Sequence, residues 1–271
     1  MSEKSGGRGS NGVGPADVYA LELPSTLRQI RDHRRLSRAT AYKRSGVSPS
    51  YISQLEHGLS QPSQKKLNSL IAGYKLNDDQ ARYLRELRSR SVDIRPDEEL
   101  RKRVASQAGF SAHLDDLQKR GMPGAYLNPL FTVLMCNDLL RSVFPAIDEA
   151  GSILVWMFTP VAKEVHANWE VEAARAIAAA KPVLARHRES DQAQALLRRL
   201  RRNSDFRRIW ASNIDISYGR DSTDLEYFRI PGSDELVAYS LTMSAVPETS
   251  DLMLLNVVAK QGKCLPEWQA T

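Results

Sequence analysis

Short runs of apolar residues at helical spacing occupy the chain between about residues 25 and 90. In one of them Val47, Ile52 and Leu55 recur at offsets of five and three, which places them on one face of a helix. The positions between them are mostly polar, so the opposite face is suited to solvent or to a polar partner. The pattern predicts a helix from about Pro49 to His57.

The ends of this predicted helix carry residues that favour helix boundaries. The Ser48 hydroxyl can accept from an early backbone N–H, Pro49 suits the first helical position, and Gly58 suits a left-handed residue after the last turn. A helix this short is marginal in isolation and must pack on neighbours. Similar spacing predicts four neighbouring helices, over residues 25–36, 37–45, 62–76 and 77–90. Together with the helix that begins at Pro49, they make residues 23–90 an all-α domain of five helices.

The pattern changes after residue 90. Residues 91–121 are highly charged, contain a proline and then carry one helical stripe, which predicts a linker and a connecting helix. From about Gly124 onward, strand-like runs alternate with long amphipathic helices, and three strand-like runs near the C-terminus are separated by turn-forming residues. This order predicts an α+β domain over residues 122–262 with an antiparallel sheet and helices segregated to one face.

The N-terminal pattern resembles the lambda-repressor-like helix-turn-helix domain, often called the XRE family. The segments "GVS" and "YISQLEHG", with Pro62 four residues beyond Gly58, match that family's signature, although Tyr42 stands where a small alanine is usual. In such domains the second helix of the pair enters the major groove with its N-terminal half. The resemblance therefore implies a double-stranded DNA operator as partner, with these base-reading residues: Pro49, Ser50, Tyr51, Ser53 and Gln54.

Positive charge is concentrated in the same region. Residues 25–91 hold 14 lysines and arginines against 5 acidic residues, whereas the whole chain has a net charge of +6. Such a focus is expected of a surface that neutralises phosphates, although a charge run alone more often marks a solvated face. The predicted phosphate contacts are Arg38, Lys43, Arg44, Lys65 and Lys66.

The C-terminal pattern resembles the MmyB-like ligand-binding domain that follows an XRE-type helix-turn-helix in regulators of actinobacteria and related bacteria. Trp169 with Glu170, Leu197 with Leu200, and then Ser204, Phe206 and Trp210 match its scattered motif, whereas the family's His-Pro pair before a late strand is missing from "FRIPGSDELVAYSL". The resemblance implies a PAS-like fold that binds a small apolar molecule such as a fatty acid. The candidate ligand-binding residues are Trp156, Phe158, Trp169, Arg175, Phe206, Arg207 and Trp210.

Three functions are compatible with these features. The first is a ligand-responsive DNA-binding transcription regulator, active as a homodimer because operators are commonly two-fold symmetric. The second is a DNA-binding regulator whose C-terminal domain binds a protein partner, with the aromatic residues serving as core anchors. The third, an enzyme tethered to DNA, has little support: His166 and Glu170 are spaced four apart on a predicted helix, but no second histidine completes a metal motif. We therefore expect no catalysis, no metal and no cofactor.

Composition agrees with a cytoplasmic regulator. No apolar run reaches the roughly 18 residues of a membrane span, and the N-terminus lacks the apolar core of a signal peptide. Cys136 and Cys264 lie far apart without metal spacing, which predicts reduced thiols. Glycine and serine predict a flexible tail over residues 1–22, and a second tail is predicted over 263–271.

Overall fold

A computed structural model describes residues 21–220, 223–230, 235–247, 249 and 251–260 of the 271-residue chain. The predicted N-terminal tail lies outside the described residues except for Leu21 and Glu22, and the predicted C-terminal tail, with Cys264, lies wholly outside them. Leu21 is buried against the C-terminal domain.

The N-terminal domain contains the five predicted helices. Their first turns are closed by the side chains that the sequence offers for this purpose: Ser37, Ser48 and Ser63 each accept a backbone N–H, and Asn77 forms a reciprocal capping box with Gln80. The helices are α1 (Leu23–His33), α2 (Arg38–Ser45), α3 (Pro49–Glu56), α4 (Gln64–Gly73) and α5 (Asp78–Arg88).

The small packing residue of α2 is Ala41 and not the following position. Ala41 is fully buried, whereas Tyr42 is 49% exposed. Tyr42, at the position where the family usually has a small alanine, is thus exposed, and the fully buried residue of α2 directly precedes it. Helix α2 therefore packs closely on its neighbours, and the aromatic ring lies on its outer side.

The segment between the domains is folded onto the C-terminal domain. Val92 N–H donates to Arg186 O at 2.8 Å, and Gln192 donates to Arg95 O at 2.8 Å. Two helices follow, α6 (Asp97–Ser106) and α7 (Ala108–Lys119). Their apolar residues pack with Tyr126 and Leu252 in one cluster, so these helices cover one face of the sheet. The charged segment predicted as a linker or exposed helix thus contributes to a core.

The C-terminal domain contains a five-stranded antiparallel sheet in the order β2–β1–β5–β4–β3. Its strands are β1 (Gly124–Leu127), β2 (Val133–Cys136), β3 (Glu226–Arg229), β4 (Leu236–Ala245) and β5 (Met253–Lys260). Seven helices are built between β2 and β3, and their buried side chains form the main core with the other face of the sheet. They are α8 (Asp138–Val143), α9 (Ile147–Ala150), α10 (Ile153–Trp156), α11 (Pro160–Val165), α12 (Trp169–Arg186), α13 (Asp191–Leu200) and α14 (Ser204–Ser212). The predicted PAS-like α+β fold with an antiparallel sheet is confirmed. The expectation that helices lie on one face of the sheet was wrong, because α6 and α7 pack on the face opposite to the main core.

The C-terminal domain contacts the N-terminal domain through residues 213–220, which we call the strap. Ile214 and Ile216 of the strap are buried in the hydrophobic cluster of the N-terminal domain. The Gln80 side chain of α5 donates to Ile214 O at 3.1 Å. The Tyr218 hydroxyl donates to Glu86 at 2.5 Å, and its ring lies 3.8 Å beneath the Arg82 guanidinium. The C-terminal domain is therefore docked on α5, with polar and apolar contacts on one continuous segment.

Lys181 is a buried cation at this interdomain contact. It is 3% exposed on α12, and its ammonium donates to Asn213 O and lies 5.3 Å from the Trp210 ring centroid. It borders a cavity of about 10 Å³, which is room for about one water molecule, and Gln29 of α1 lines the same cavity. Burial lowers the pKa of Lys181 to about 8.

The lowered pKa of Lys181 predicts a stability that increases with pH. Between pH 8 and the ordinary lysine value of 10.5, the unfolded chain binds more protons than the folded one, so the free energy of unfolding rises by up to about 1.4 kcal/mol per pH unit. Urea unfolding of Lys181→Met between about pH 7.5 and 9.5 is expected to lose this rise. The exposed Lys102→Met variant is the control and should keep it; an equal slope in all three proteins would contradict the assignment.

Candidate functional site

The predicted base-reading residues lie together on α3. Pro49, Ser50 and Gln54 are exposed, and they form what we call the α3 face. Tyr51 and Ser53 are partly buried, and the Tyr51 hydroxyl donates to Gln61 O at 3.2 Å. The α3 face therefore has free polar atoms for an external partner, while Tyr51 also braces the turn between α3 and α4.

A buried ion cluster fixes α3 from behind. Glu56 has a side chain only 1% exposed, and it accepts from Arg31 at 2.5 and 3.1 Å and from Arg38 at 2.8 and 3.1 Å. Arg31 also donates to Leu36 O at 2.9 Å, and its pKa is raised by the hydrogen bond to Glu56. This cluster ties α3 to α1 and to the start of α2, which fixes the direction of the α3 face.

Sequence analysis did not select Arg31 and Glu56. A usable signal was present, because Glu56 follows Ile52 by four residues and so lies on the apolar side of the helix. An acid at that position requires a buried cationic partner. Only the fold shows that the cationic partners of Glu56 are Arg31 and Arg38.

The predicted phosphate contacts differ in their availability. Arg38 is already bonded to Glu56 and retains 37% exposure of its side chain. Lys43 and Arg44 at the end of α2, and Lys65 and Lys66 at the start of α4, are exposed. Within the described part of the chain, these last four residues make no ion pair. Their contact with phosphate stays a prediction.

Most of the aromatic residues proposed for ligand binding are packed on one another. Trp156 and Phe206 are 0% exposed, and Phe158 and Trp210 are 5% and 2% exposed. Phe206 lies 5.3 Å from both Phe158 and Trp210, measured between ring centroids. Trp169 is partly buried at the edge of this group, 6.2 Å from Phe158. These rings form part of the core, and their contact with a ligand stays a prediction.

The two candidate arginines lie on the surface. Arg207 donates to the backbone oxygen of Arg201 at 2.9 Å. Arg175 pairs with Glu172 at 3.0 Å and borders an open groove of about 590 Å³ between α12 and α14. His33 of α1 lines one end of that groove. The structure thus separates the candidate arginines from the buried aromatic group.

A buried polar cluster lies between α12, the strap and β3. Arg220 donates to Glu172 at 3.1 Å and also to Glu226. His166 lies 4.0 Å from Glu226, measured from Nδ1 to Oε2, and its side chain is 0% exposed. Burial raises the pKa of Glu226 to about 7 and lowers the pKa of His166 to about 4. At neutral pH the imidazole is therefore uncharged.

The sequence pattern placed His166 on the wrong helix and did not indicate Glu226. His166 ends α11 and does not share a helix with Glu170, which lies in α12 and pairs with Arg208 at 2.5 Å. Glu226 follows Arg220 by six residues in an unremarkable strand-like run. Their proximity arises from the antiparallel bridge between His166 and Phe228.

Comparison with protein families decides the affiliation. Residues 108–263 match the MmyB-like transcription regulator ligand binding domain, and residues 22–84 match a helix-turn-helix domain. The chain belongs to the MmyB-like transcription regulators. No curated protein matches it closely enough to serve as a relative.

The family assignment makes this chain a transcription regulator with a DNA-binding and a ligand-binding domain. Among the residues that the structure describes, no helix has the length and apolar character to cross a membrane. In the same residues, no group of three or more histidine, cysteine or acidic side chains could hold a metal ion. The described cysteine, Cys136, is buried and free, and burial raises the pKa of its thiol.

The buried ion cluster predicts a large cost for losing its acid. In Glu56→Ala, Arg31 stays buried without its bidentate carboxylate partner and keeps only the partly exposed Asp32 and the Leu36 carbonyl. The N-terminal domain is therefore expected to lose about 3 kcal/mol of unfolding free energy in urea titrations. A paired Arg31→Met, Glu56→Met variant removes both buried charges and should recover most of that loss. A cost below about 0.5 kcal/mol for Glu56→Ala would show that the cluster does not fix α3.

Proposed function

We propose that this regulator reads a specific DNA operator with the α3 face and that a small apolar molecule in its C-terminal domain modulates this binding. The observation that carries the proposal is the free α3 face in the docked arrangement. The C-terminal domain contacts α5 through Gln80, Glu86 and Arg82, and α1 through Gln29, whose side chain donates to Trp210 O at 3.3 Å. Docking therefore leaves Pro49, Ser50 and Gln54 exposed.

The chemistry of the α3 face suits base edges. Gln54 can pair bidentately with adenine, and the Ser50 hydroxyl can donate to or accept from any base. Lys43, Arg44, Lys65 and Lys66 frame the helix with positive charge from α2 and α4, which suits phosphates on either side of a groove. We further propose that Arg38 reaches a phosphate with the exposed part of its side chain.

The active unit in this proposal is a cytoplasmic homodimer. A single helix-turn-helix covers one half-site, and specific operators generally present two half-sites about one helical turn apart. Two copies related by a two-fold axis satisfy that spacing. The effector then acts by favouring one arrangement of the two DNA-binding domains over another.

A fatty acid is the ligand that the family resemblance suggests. Trp156, Phe158 and Phe206 lie in the packed apolar core of the C-terminal domain, so an apolar chain that binds among them has to displace part of that core. Arg175 and Arg207 lie at its surface, where Arg175 is bonded to Glu172 and Arg207 to a backbone carbonyl. Two other residues of the domain, His166 and Glu226, restrict the ligand class.

Two matched variants test the DNA-binding proposal. An operator is first selected from random-sequence DNA with the wild-type chain. Ser50→Ala with Gln54→Ala is expected to lower affinity for that operator by about 10- to 100-fold while affinity for unrelated DNA changes little, because base contacts carry the discrimination.

Lys65→Ala with Lys66→Ala is the control for charge. It is expected to weaken binding to both DNAs alike and to reduce the slope of log affinity against log salt by about 2. Unchanged discrimination in the α3 variant, with folding intact by circular dichroism, would contradict base reading by this helix.

A further inference from the structure

His166 and Glu226 leave polar atoms unsatisfied inside the C-terminal core. Among the residues that the structure describes, neither ring nitrogen of His166 has a hydrogen-bond partner, and the same holds for Oε2 of Glu226. The two residues are 1% and 4% exposed, so bulk water does not supply the missing bonds. Leaving such buried groups unpaired destabilises the fold, whereas an apolar side chain in the same place would carry no such cost. A partner for this pair is therefore expected.

Aromatic rings surround the unsatisfied pair. Phe228 lies 4.5 Å and Trp156 5.6 Å from the imidazole, measured between ring centroids. Phe144 and Tyr239 pack on the other side of Phe228 at 5.6 and 5.2 Å. Such walls favour a partner that is apolar apart from the group that meets His166 and Glu226.

The charges around the pair restrict that polar group. Glu226 and Glu172 supply two carboxylates, and Arg220 lies between them. Arg229 donates to the backbone oxygen of His166. Above pH 7, where Glu226 is mainly ionised, an anionic head would bring it no hydrogen to accept, and a cationic head would lie beside Arg220 and Arg229.

A hydroxyl satisfies both atoms at once. With the imidazole hydrogen on Nδ1, the hydroxyl oxygen accepts from His166 and its own hydrogen goes to Oε2 of Glu226. The 4.0 Å between Nδ1 and Oε2 is too long for a direct hydrogen bond and short enough for one oxygen atom to contact both. We propose that His166 and Glu226 bind the hydroxyl group of an apolar alcohol or phenol. This proposal rests on the ligand-responsive function proposed above, and it replaces the fatty acid suggested by the family resemblance.

The same pair is connected to the DNA-binding domain. Glu226 is bonded to Arg220, the last residue of the strap, and Ile214 and Ile216 of that strap lie in the N-terminal core. Arg220 also reaches Glu172 on α12, the helix that carries Lys181 to the interdomain contact. A shift of Glu226 therefore moves both elements that hold the N-terminal domain.

Entry of the ligand requires β3 to move. This strand has four residues and lies at the edge of the sheet, paired with β4 on one side. On its other side it is held by the Ala167 N–H, which donates to Tyr227 O at 2.8 Å, and by Arg229. Short edge strands open at low free-energy cost. Glu226 and Phe228 both belong to β3. Displacement of this strand therefore opens the aromatic enclosure and at the same time pulls on Arg220.

The experiment uses the full chain with ¹⁵N-labelled histidine and three probes that differ in one group: 4-hexylphenol, hexylbenzene and 4-hexylbenzoate. The ring nitrogens of His166 are expected to shift with 4-hexylphenol, while those of His187, which already bonds Val92 O at 2.7 Å, stay unchanged. 4-Hexylphenol is expected to bind at least about tenfold more tightly than the other two probes. 1-Decanol is expected to shift the same signals.

Two variants separate the site from general apolar binding. His166→Phe keeps an aromatic ring but removes both unsatisfied nitrogens, so its thermal midpoint should be unchanged or higher while the preference for 4-hexylphenol is lost. His113→Phe removes a histidine whose ring already bonds the Tyr126 hydroxyl at 2.6 Å, and it should bind as wild type. Hydrogen exchange of the 213–218 amides is expected to become faster with 4-hexylphenol in the wild type and not in His166→Phe.

Four results would overturn the proposal. These are unchanged His166 signals with both hydroxyl probes, which would leave a buried water as the partner; equal binding of 4-hexylbenzoate; wild-type affinity in His166→Phe; and binding without any change in exchange of the strap. No DNA is present in these measurements, so such a failure is independent of the α3 variants, and loss of operator discrimination would still support DNA binding.

Discussion

Two isoleucines of the C-terminal domain complete the hydrophobic core of the N-terminal domain. Ile214 and Ile216 are each 8% exposed and lie in one cluster with residues of α1 and α5. Burying a side chain of this size contributes about 1.5–3 kcal/mol, and the pair is flanked by the Gln80 and Tyr218 hydrogen bonds. The relative orientation of the two domains therefore depends on the strap.

This constraint limits how an effector can act. The strap holds the helix-turn-helix from the side of α1 and α5, so the α3 face stays uncovered in the docked state. An effector that works on this state does not need to unmask DNA-binding residues. In the proposed function the effector changes the position or the rigidity of the domain that carries them, and by linkage the DNA then changes the affinity for the effector by the same factor.

The internal support of α3 fits the same account. Glu56 joins α3 to Arg31 of α1, and α1 is also bonded to the C-terminal domain through Gln29. The path from Trp210 to the α3 face thus runs through two hydrogen-bonded contacts on one helix. Helix α1 is therefore in contact with both the C-terminal domain and the base of α3.

The sequence predicted the elements whose causes are local. Caps such as Ser48 and Asn77, the left-handed Gly46, and the periodicity of α3 act within a few residues, and the five N-terminal helices follow from them. The strands of the C-terminal sheet followed from alternating runs and turn signals in the same way.

The polar cluster could not be predicted, because its members come from distant parts of the chain. His166, Glu172, Arg220 and Glu226 meet only once α11, α12, the strap and β3 are assembled. The exposure of Tyr42 has a different origin: within the eight residues of α2 the buried side is centred on Ala41, so the next side chain lies outside.

The most direct test is hydrogen exchange of the full chain with and without an operator selected from random DNA. The account predicts slower exchange in α3 and at the start of α4, with the 213–218 amides at least as well protected in the DNA-bound state as in the free protein. Protection of α3 accompanied by loss of protection in 213–218 would show that DNA binding releases the strap, which would contradict a docked, DNA-competent arrangement.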